Sequence, residues 1–394
     1  MTLALNNIGH LVTNDPSIGN GPLGIINNAG LVADDEGKII WCGPQDQIDQ
    51  YTEAQPIGCD GCAIIPGFVD SHTHIVFAGD RATEFEARME GLPYAAGGIQ
   101  STMMATRAAS DELLSLNAQH LAYEALCSGT TTLEVKSGYG LSVKDEERSM
   151  RIARTVTTET TFLGAHLYPT DVKQEDYVDL VVGEMLNACL PHAKWIDVFC
   201  DRGAFDVDQS REILKAGAKA GLGTRIHANQ LQRGGGVQLG IELGVASCDH
   251  CTHLTEKDIE ALSSANKTTV ATLLPAAELC TRSPFPHARH MIEQGVTVAL
   301  ATDCNPGSSY TTSMPFVMSL AVILMGMTPD QALWSSTQGG AQALRRTDVG
   351  NLCAGSRADL VVLDAPSHIH LAYRPGVNQT RAVVRGGKCV VGAL

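Results

Sequence analysis

Positive charge is scarce in this chain. Its 394 residues carry 28 Lys and Arg against 43 Asp and Glu, a formal charge of -15 with histidine neutral. Gripping a polyphosphate backbone needs a positive field, so nucleic acid is excluded as a partner. The opening stretch MTLALNNIGHLVTNDPS has no lysine, no arginine and no small-residue cleavage pattern, so it does not read as a secretory signal. Long hydrophobic runs are missing too. The longest, MPFVMSLAVILMGM at 314–327, falls short of the ~20 residues a membrane helix needs, so a buried helix is expected and no membrane partner. Internal repeats and low-complexity linkers are absent. Cysteine is not scarce, but the 12 residues are scattered. Cys59/Cys62 and Cys248/Cys251 have CxxC spacing yet lie far apart, which fits reduced thiols in a cytoplasmic protein better than a structural zinc site.

What is present is a soluble, core-forming composition, 44% hydrophobic, on a length that suggests roughly two to three domains, though a single α/β barrel can absorb ~250 residues. Residues 1–63 are rich in Gly, Asn and short apolar runs, with a hairpin expected around Glu36-Gly37. From 64 onward β-branched runs alternate with helical stretches. The runs lie at 64–74, 130–138, 160–169, 195–201, 223–230, 246–254, 268–275 and 296–307. Between the first two lies a helix with Ser110 as N-cap and Gly129 as its stop. Eight such units predict an α/β fold, a (β/α)8 TIM-like barrel over 64–348. TPDQALWSSTQGGAQAL follows as one or two helices opened by Thr328-Pro329. The segments 1–63 and 349–394 are expected to join into a small β-sandwich-like domain.

A barrel of this kind places its chemistry at the C-terminal ends of the strands. His72 and His74 end the first run, His166 the third, His227 the fifth, His250 the sixth and Asp303 the eighth. Alternation along a strand turns His72 and His74 to one face. The second HxH, His368/His370, lies in the tail and reads as structural or surface. Three neutral imidazoles and a carboxylate suit Zn2+ or Fe2+/Fe3+ with a position open to water, which assigns His72, His74, His227 and Asp303 as ligands of one metal ion.

PGFVDSHTH, the His227 and Asp303 strands and the MTPDQAL…AQAL region resemble the amidohydrolase superfamily. HTHIVFAGDR, KSGYGL, FLGAH, IHANQ and ATDCNPGSSYTTSMP resemble, within it, the imidazolonepropionase family, over nearly the whole chain. The resemblance implies hydrolysis of 4-imidazolone-5-propanoate to N-formimino-L-glutamate in histidine degradation, one Zn or Fe ion, and a homodimer. It implies a small anionic heterocycle as substrate. Arg81 would pair with its carboxylate and Tyr139 and His166 would hydrogen-bond ring and tail. Asn305, Gly307 and Ser308 would line the pocket. His250 would stabilise the oxyanion and Asp303 would move the proton.

Gln230 departs from the HxxE pattern of barrel deaminases. An amide cannot titrate, so Gln230 is assigned to substrate binding, and a deaminase of a nucleobase or related heterocycle becomes the alternative enzyme. A non-catalytic barrel scaffold is the alternative outside enzymes. No lysine ends the fourth strand, as two-metal relatives would require. Glu134 and Lys136 on the second strand read as an ion pair or a strand-end hydrogen bond rather than as alternative metal ligands. The loop GLPYAAGGIQST at 91–102 is shorter than the resemblance leads one to expect.

Overall fold

The computed structural model describes residues 2–92, 98–170 and 172–394; the centre of the short loop, 93–97, lies outside the described residues. The chain divides into two compact units. One comprises Met1–Asp70, Tyr123–Thr132 and Ser313–Leu394, the other Ser71–Ala122 and Leu133–Thr312. The sequence places its boundaries at 63/64 and 348/349 instead. The first unit reaches further because Val69 packs against Ala341, Leu344 and Val349 in one buried cluster.

In that unit both termini build one eight-stranded mixed sheet. Its order is Lys388–Gly392, Thr380–Arg385, Leu360–Leu363, Ala63–Pro66, Leu3–Val12, Ile25–Ala33 and Ile39–Pro44, with Ile57–Gly58 pairing alongside Leu3–Val12. The expected hairpin around Glu36-Gly37 joins the last two strands of that order. Leu5, Ile8, Leu11, Leu31, Ile64, Leu360 and Val384 fill the core behind it.

The second sheet is the barrel. Its eight barrel strands in chain order are Phe68–Asp70, Thr130–Lys136, Glu159–Ala165, Trp195–Cys200, Ile226–Ala228, Ser247–His250, Val270–Leu273 and Val298–Leu300, with a ninth short strand, Gly223–Thr224, pairing alongside Trp195–Cys200. Adjacent strands from Thr130–Lys136 onward pair in parallel. A parallel bridge between Thr73 and Cys304 joins the extensions of the first and last strands and closes the ring. IIPGFVDSHTH, expected as one strand, is split at Gly67: Ala63–Pro66 joins the terminal sheet and Phe68–Asp70 opens the barrel.

Three helices lie between the first and second barrel strands among the described residues, and the expected one runs Asp111–Cys127, with Ser110 Oγ accepting the Leu113 N–H at 3.2 Å. The apolar run forms Met314–Leu324, capped by Ser313 and largely buried. Thr328 opens Pro329–Trp334 through a capping box with Gln331. Among the described residues no helix is long and apolar enough to cross a membrane.

Candidate active site

Three backbone hydrogen bonds seat the two histidines of the first strand. Asp303 N–H donates to His72 O at 3.0 Å, His74 N–H to Cys304 O at 2.9 Å and Lys136 N–H to Thr73 O at 2.9 Å. The extended segment therefore lies between the second and eighth barrel strands, with Thr73 turned away from both imidazoles. His227 sits in the fifth strand, His250 ends the sixth, and Asp303 follows the eighth.

Their side chains converge. His72 Nε2 lies 3.1 Å from His74 Nε2, and His227 Nε2 lies 3.4 Å from the same atom. Asp303 Oδ1 is 3.5 Å from Nε2 of both His72 and His74. On the far side of the rings, His72 Nδ1 donates to Asp249 Oδ2 at 2.8 Å, and His227 Nδ1 faces Asp197 Oδ2 at 3.1 Å. A carboxylate behind Nδ1 keeps the proton there and leaves Nε2 as a lone pair. Lone pairs brought this close repel unless a cation lies among them.

The charge count points the same way. Four buried carboxylates, Glu134, Asp197, Asp249 and Asp303, accompany two buried cations, Lys136 and Arg225. With its imidazoles neutral, as metal ligands must be, the cluster is short of two positive charges, the charge of one divalent ion. The donor set of three imidazole nitrogens and a carboxylate oxygen therefore fits a transition metal in both geometry and charge.

Lys136 knits the carboxylates together. Its Nζ is 3.0 Å from Glu134 Oε1, 2.9 Å from Asp197 Oδ2 and 3.6 Å from Asp249 Oδ2, and Arg225 Nη2 reaches Asp249 Oδ2 at 3.3 Å. Burial opposes ionisation of Asp197, but His227 and Lys136 outweigh it and hold its pKa far below the usual carboxylate range. Burial is likewise outweighed at Asp249, by Arg225 and His72. Lys136 itself stays charged, since its carboxylates overcome burial and the nearby Arg225. Glu134 and Lys136 thus form the ion pair expected of them, but Asp197, Asp249 and Arg225 were not foreseen. The available signal was an acid or base inside an otherwise apolar run: WIDVFC, SCDH and GTRIH.

A cavity opens over this cluster. Every residue expected at the site lines it except His72, wholly buried behind, and Gly307. Gly307 lies against Arg81, where a Cβ would fall 2.1 Å from Nη1; its contribution is to leave room for the guanidinium rather than to line the pocket. Arg81 is itself engaged. Nε and Nη2 donate to the two oxygens of Glu84 at 2.8 and 2.5 Å, so a ligand carboxylate would meet a guanidinium already oriented from one edge. Phe199, from the fourth strand, and Ile99 are lining residues the sequence did not single out.

The remaining polar groups have defined states. Burial drives His250 and His166 down to about 3, so both rings are neutral at physiological pH. His166 Nδ1 donates to Gly138 O at 2.9 Å, which leaves its Nε2 as an acceptor, and its ring stacks 5.2 Å from that of His74. The Tyr139 ring is 5.4 Å from His166. Gln230 anchors its backbone N–H on Asp201 Oδ2 at 2.8 Å. After Asp303, Asn305 Oδ1 accepts the Gly307 and Ser308 N–H groups, each at 2.8 Å, in a side-chain turn. Ser308 Oγ then donates to Asp303 Oδ2 at 3.1 Å. Asn305 and Ser308 thereby hold the carboxylate in place. Asp303 and His250 have φ of 52° and 75°, left-handed conformations uncommon outside glycine and concentrated at functional sites.

Comparison with known proteins agrees with this architecture. A family model described as the amidohydrolase family matches residues 191–390. The imidazolonepropionase of Salinispora tropica is 60% identical over 388 residues, covering 98% of each chain. That of Streptomyces griseus is 58% identical over 393 residues, covering 99% of this chain and 100% of its own. Among solved structures, an adenosine deaminase from Xanthomonas campestris with bound zinc superposes with a TM-score of 0.74 at 18% identity, over 99% of this chain and 93% of that one. At that identity the likeness speaks for the fold alone. The two relatives, matched end to end, take the assignment further: the chain belongs to the amidohydrolase family and, within it, to the imidazolonepropionases.

Proposed function

We infer that the protein hydrolyses the ring amide of 4-imidazolone-5-propanoate, giving N-formimino-L-glutamate in histidine degradation. The observation that carries this reading is one cavity with a carboxylate–imidazole cluster at its floor and the Arg81 guanidinium on its wall. A substrate with an amide in a ring and a carboxylate on a tail needs both.

His72, His74, His227 and Asp303 would hold one Zn2+ or Fe2+/Fe3+ ion, which when bound polarises a carbonyl and brings the pKa of water towards ~7. Arg81 pairs with the propanoate, and the Tyr139 hydroxyl hydrogen-bonds the substrate. His166, its Nδ1–H committed to Gly138, offers Nε2 to a ring N–H. Asp303 takes the proton released as water oxygen bonds to the carbonyl carbon. It passes that proton to the ring nitrogen as the C–N bond breaks, leaving a carboxylate and an amidine. His250, kept neutral because burial lowers its pKa, donates its ring N–H to the oxygen that gains charge. The Gln230 amide orients the substrate and takes no part in proton transfer.

The test is direct turnover. Purified protein is expected to consume the imidazolone and form the formimino product, with His227→Ala inactive. Ammonia release from cytosine or guanine without imidazolone turnover would overturn the reading in favour of a deaminase.

A further inference from the structure

Ser137 to Leu141, SGYGL, follows the second barrel strand. It brings Tyr139 to the cavity and sets the Gly138 carbonyl under His166. This backbone is irregular: Gly138 has φ of 111° and Leu141 has φ of 50°. The segment is also buried throughout, so its N–H and C=O groups need partners other than a strand ladder.

Two side chains of opposite charge supply five of them. Glu146, wholly buried in the helix Val143–Val156, accepts the N–H groups of Gly140 and Leu141 on Oε1, both at 2.7 Å, and that of Gly138 on Oε2 at 3.1 Å. Arg107, from the helix Ile99–Ala108, donates Nε to Gly140 O at 2.6 Å and Nη2 to Leu141 O at 2.8 Å. One carboxylate takes the loop's donors and one guanidinium its acceptors. Burial pushes the Glu146 carboxyl above its usual range, while Ser137 and the three backbone donors pull it back. The packing leaves no slack either, because a Cβ on Gly138 would lie 2.8 Å from His166 Nδ1.

We propose that Glu146, with Arg107 as its counterpart, is the positioning residue of the substrate-binding wall, fixing where Tyr139 stands and, through the Gly138 carbonyl, how the His166 ring is turned and protonated. Neither side chain lines the cavity. The proposal rests on the reading that Tyr139 and His166 hold the substrate. It predicts an effect on binding rather than on the chemical step, since the residues that move protons belong to other strands.

The experiment is steady-state kinetics of Glu146→Gln. Glutamine keeps the shape but turns an NH2 group towards a backbone N–H. KM is expected to rise on the order of tenfold or more through misplacement of Tyr139, with kcat changed far less. In a Tyr139→Ala background the same substitution should cost less, because the share of its effect that passes through Tyr139 is already gone. An unchanged KM, or penalties that add in full, would overturn the proposal. If Glu146→Gln does not fold, Arg107→Gln makes the same test from the carbonyl side. Wild-type turnover separates the two levels. If the wild type leaves the imidazolone intact, the functional reading falls, and the positioning claim is read from a crystal structure of Glu146→Gln. There Tyr139 should be displaced, and an unmoved ring would refute it.

Discussion

His72/His74 and His368/His370 share one spacing in the sequence and part company in the structure. The first pair lies on an extended segment, so both imidazoles face one way and their Nε2 atoms meet at 3.1 Å. The second has no such register. His370 opens the short helix His370–Tyr373 in place of a strand, and its Nδ1 pairs locally with the Ser367 hydroxyl at 3.1 Å. His368 is buried between His10, at 3.0 Å from its Nδ1, and Asp330, at 2.8 Å from its Nε2. The sequence reading of a structural pair suits this arrangement, although it did not foresee the partners. Both nitrogens of His368 are spent on hydrogen bonds, so no lone pair remains for an ion. At His72 the buried Asp249 occupies only Nδ1. Spacing alone therefore does not make a metal site; what counts is a backbone that aims both rings together and leaves their Nε2 atoms facing each other, with a carboxylate behind His72 Nδ1.

The comparison can be broken at several points. Removing a ligand has the largest expected effect. His72→Ala should lose its metal by elemental analysis and show no measurable turnover, while His370→Ala keeps both. Asp303→Asn should lower kcat by about 10^2–10^4, the usual scale for losing a general acid–base group, in a stopped assay of imidazolone consumption. Next come the residues behind the ligands. Asp249→Asn should weaken metal binding by about 10–100-fold in competition with a chromogenic chelator, whereas Asp330→Asn should not move it. Lys136→Met would strand buried carboxylates and should cost about 3–5 kcal/mol in denaturant unfolding.

The smallest effect is the pH response of His368 and its partner His10. Burial lowers the pKa of His368 against the pull of Asp330, and lowers that of His10 with help from His368. The folded state then resists protonation that the unfolded state accepts below ~6.5, so these groups cost stability as pH falls through that value. The thermal midpoint should drop from pH 7 to pH 5, and His368→Gln should narrow the drop. An equal drop in the variant would show that these two histidines do not contribute.

Much of this was legible in the chain. The eight apolar runs marked the barrel strands, and the histidines and Asp303 stood at their ends because such a barrel offers that rim for chemistry. The harder features involve contacts that period-2 reading hides. Asp249 and His250 are neighbours, which alternation assigns to opposite faces, yet the left-handed turn at His250 brings both to the cluster. Asp197 and Lys136 sit inside strands, where a charge has meaning only once its partner on another strand is known. Glu84 could be seen three residues after Arg81, but nothing in the text said that it would grip the guanidinium from the side. Gly307 was legible as part of a loop and not as the space Arg81 occupies.

The central claim is that three imidazoles and Asp303 hold one cation that makes the ring amide hydrolysable. The most direct measurement pairs metal content with turnover of 4-imidazolone-5-propanoate before chelation, after it, and after reloading. The account predicts about one zinc or iron per chain, activity that vanishes with the metal, and recovery when either ion is returned. Full turnover by protein stripped of metal would contradict it.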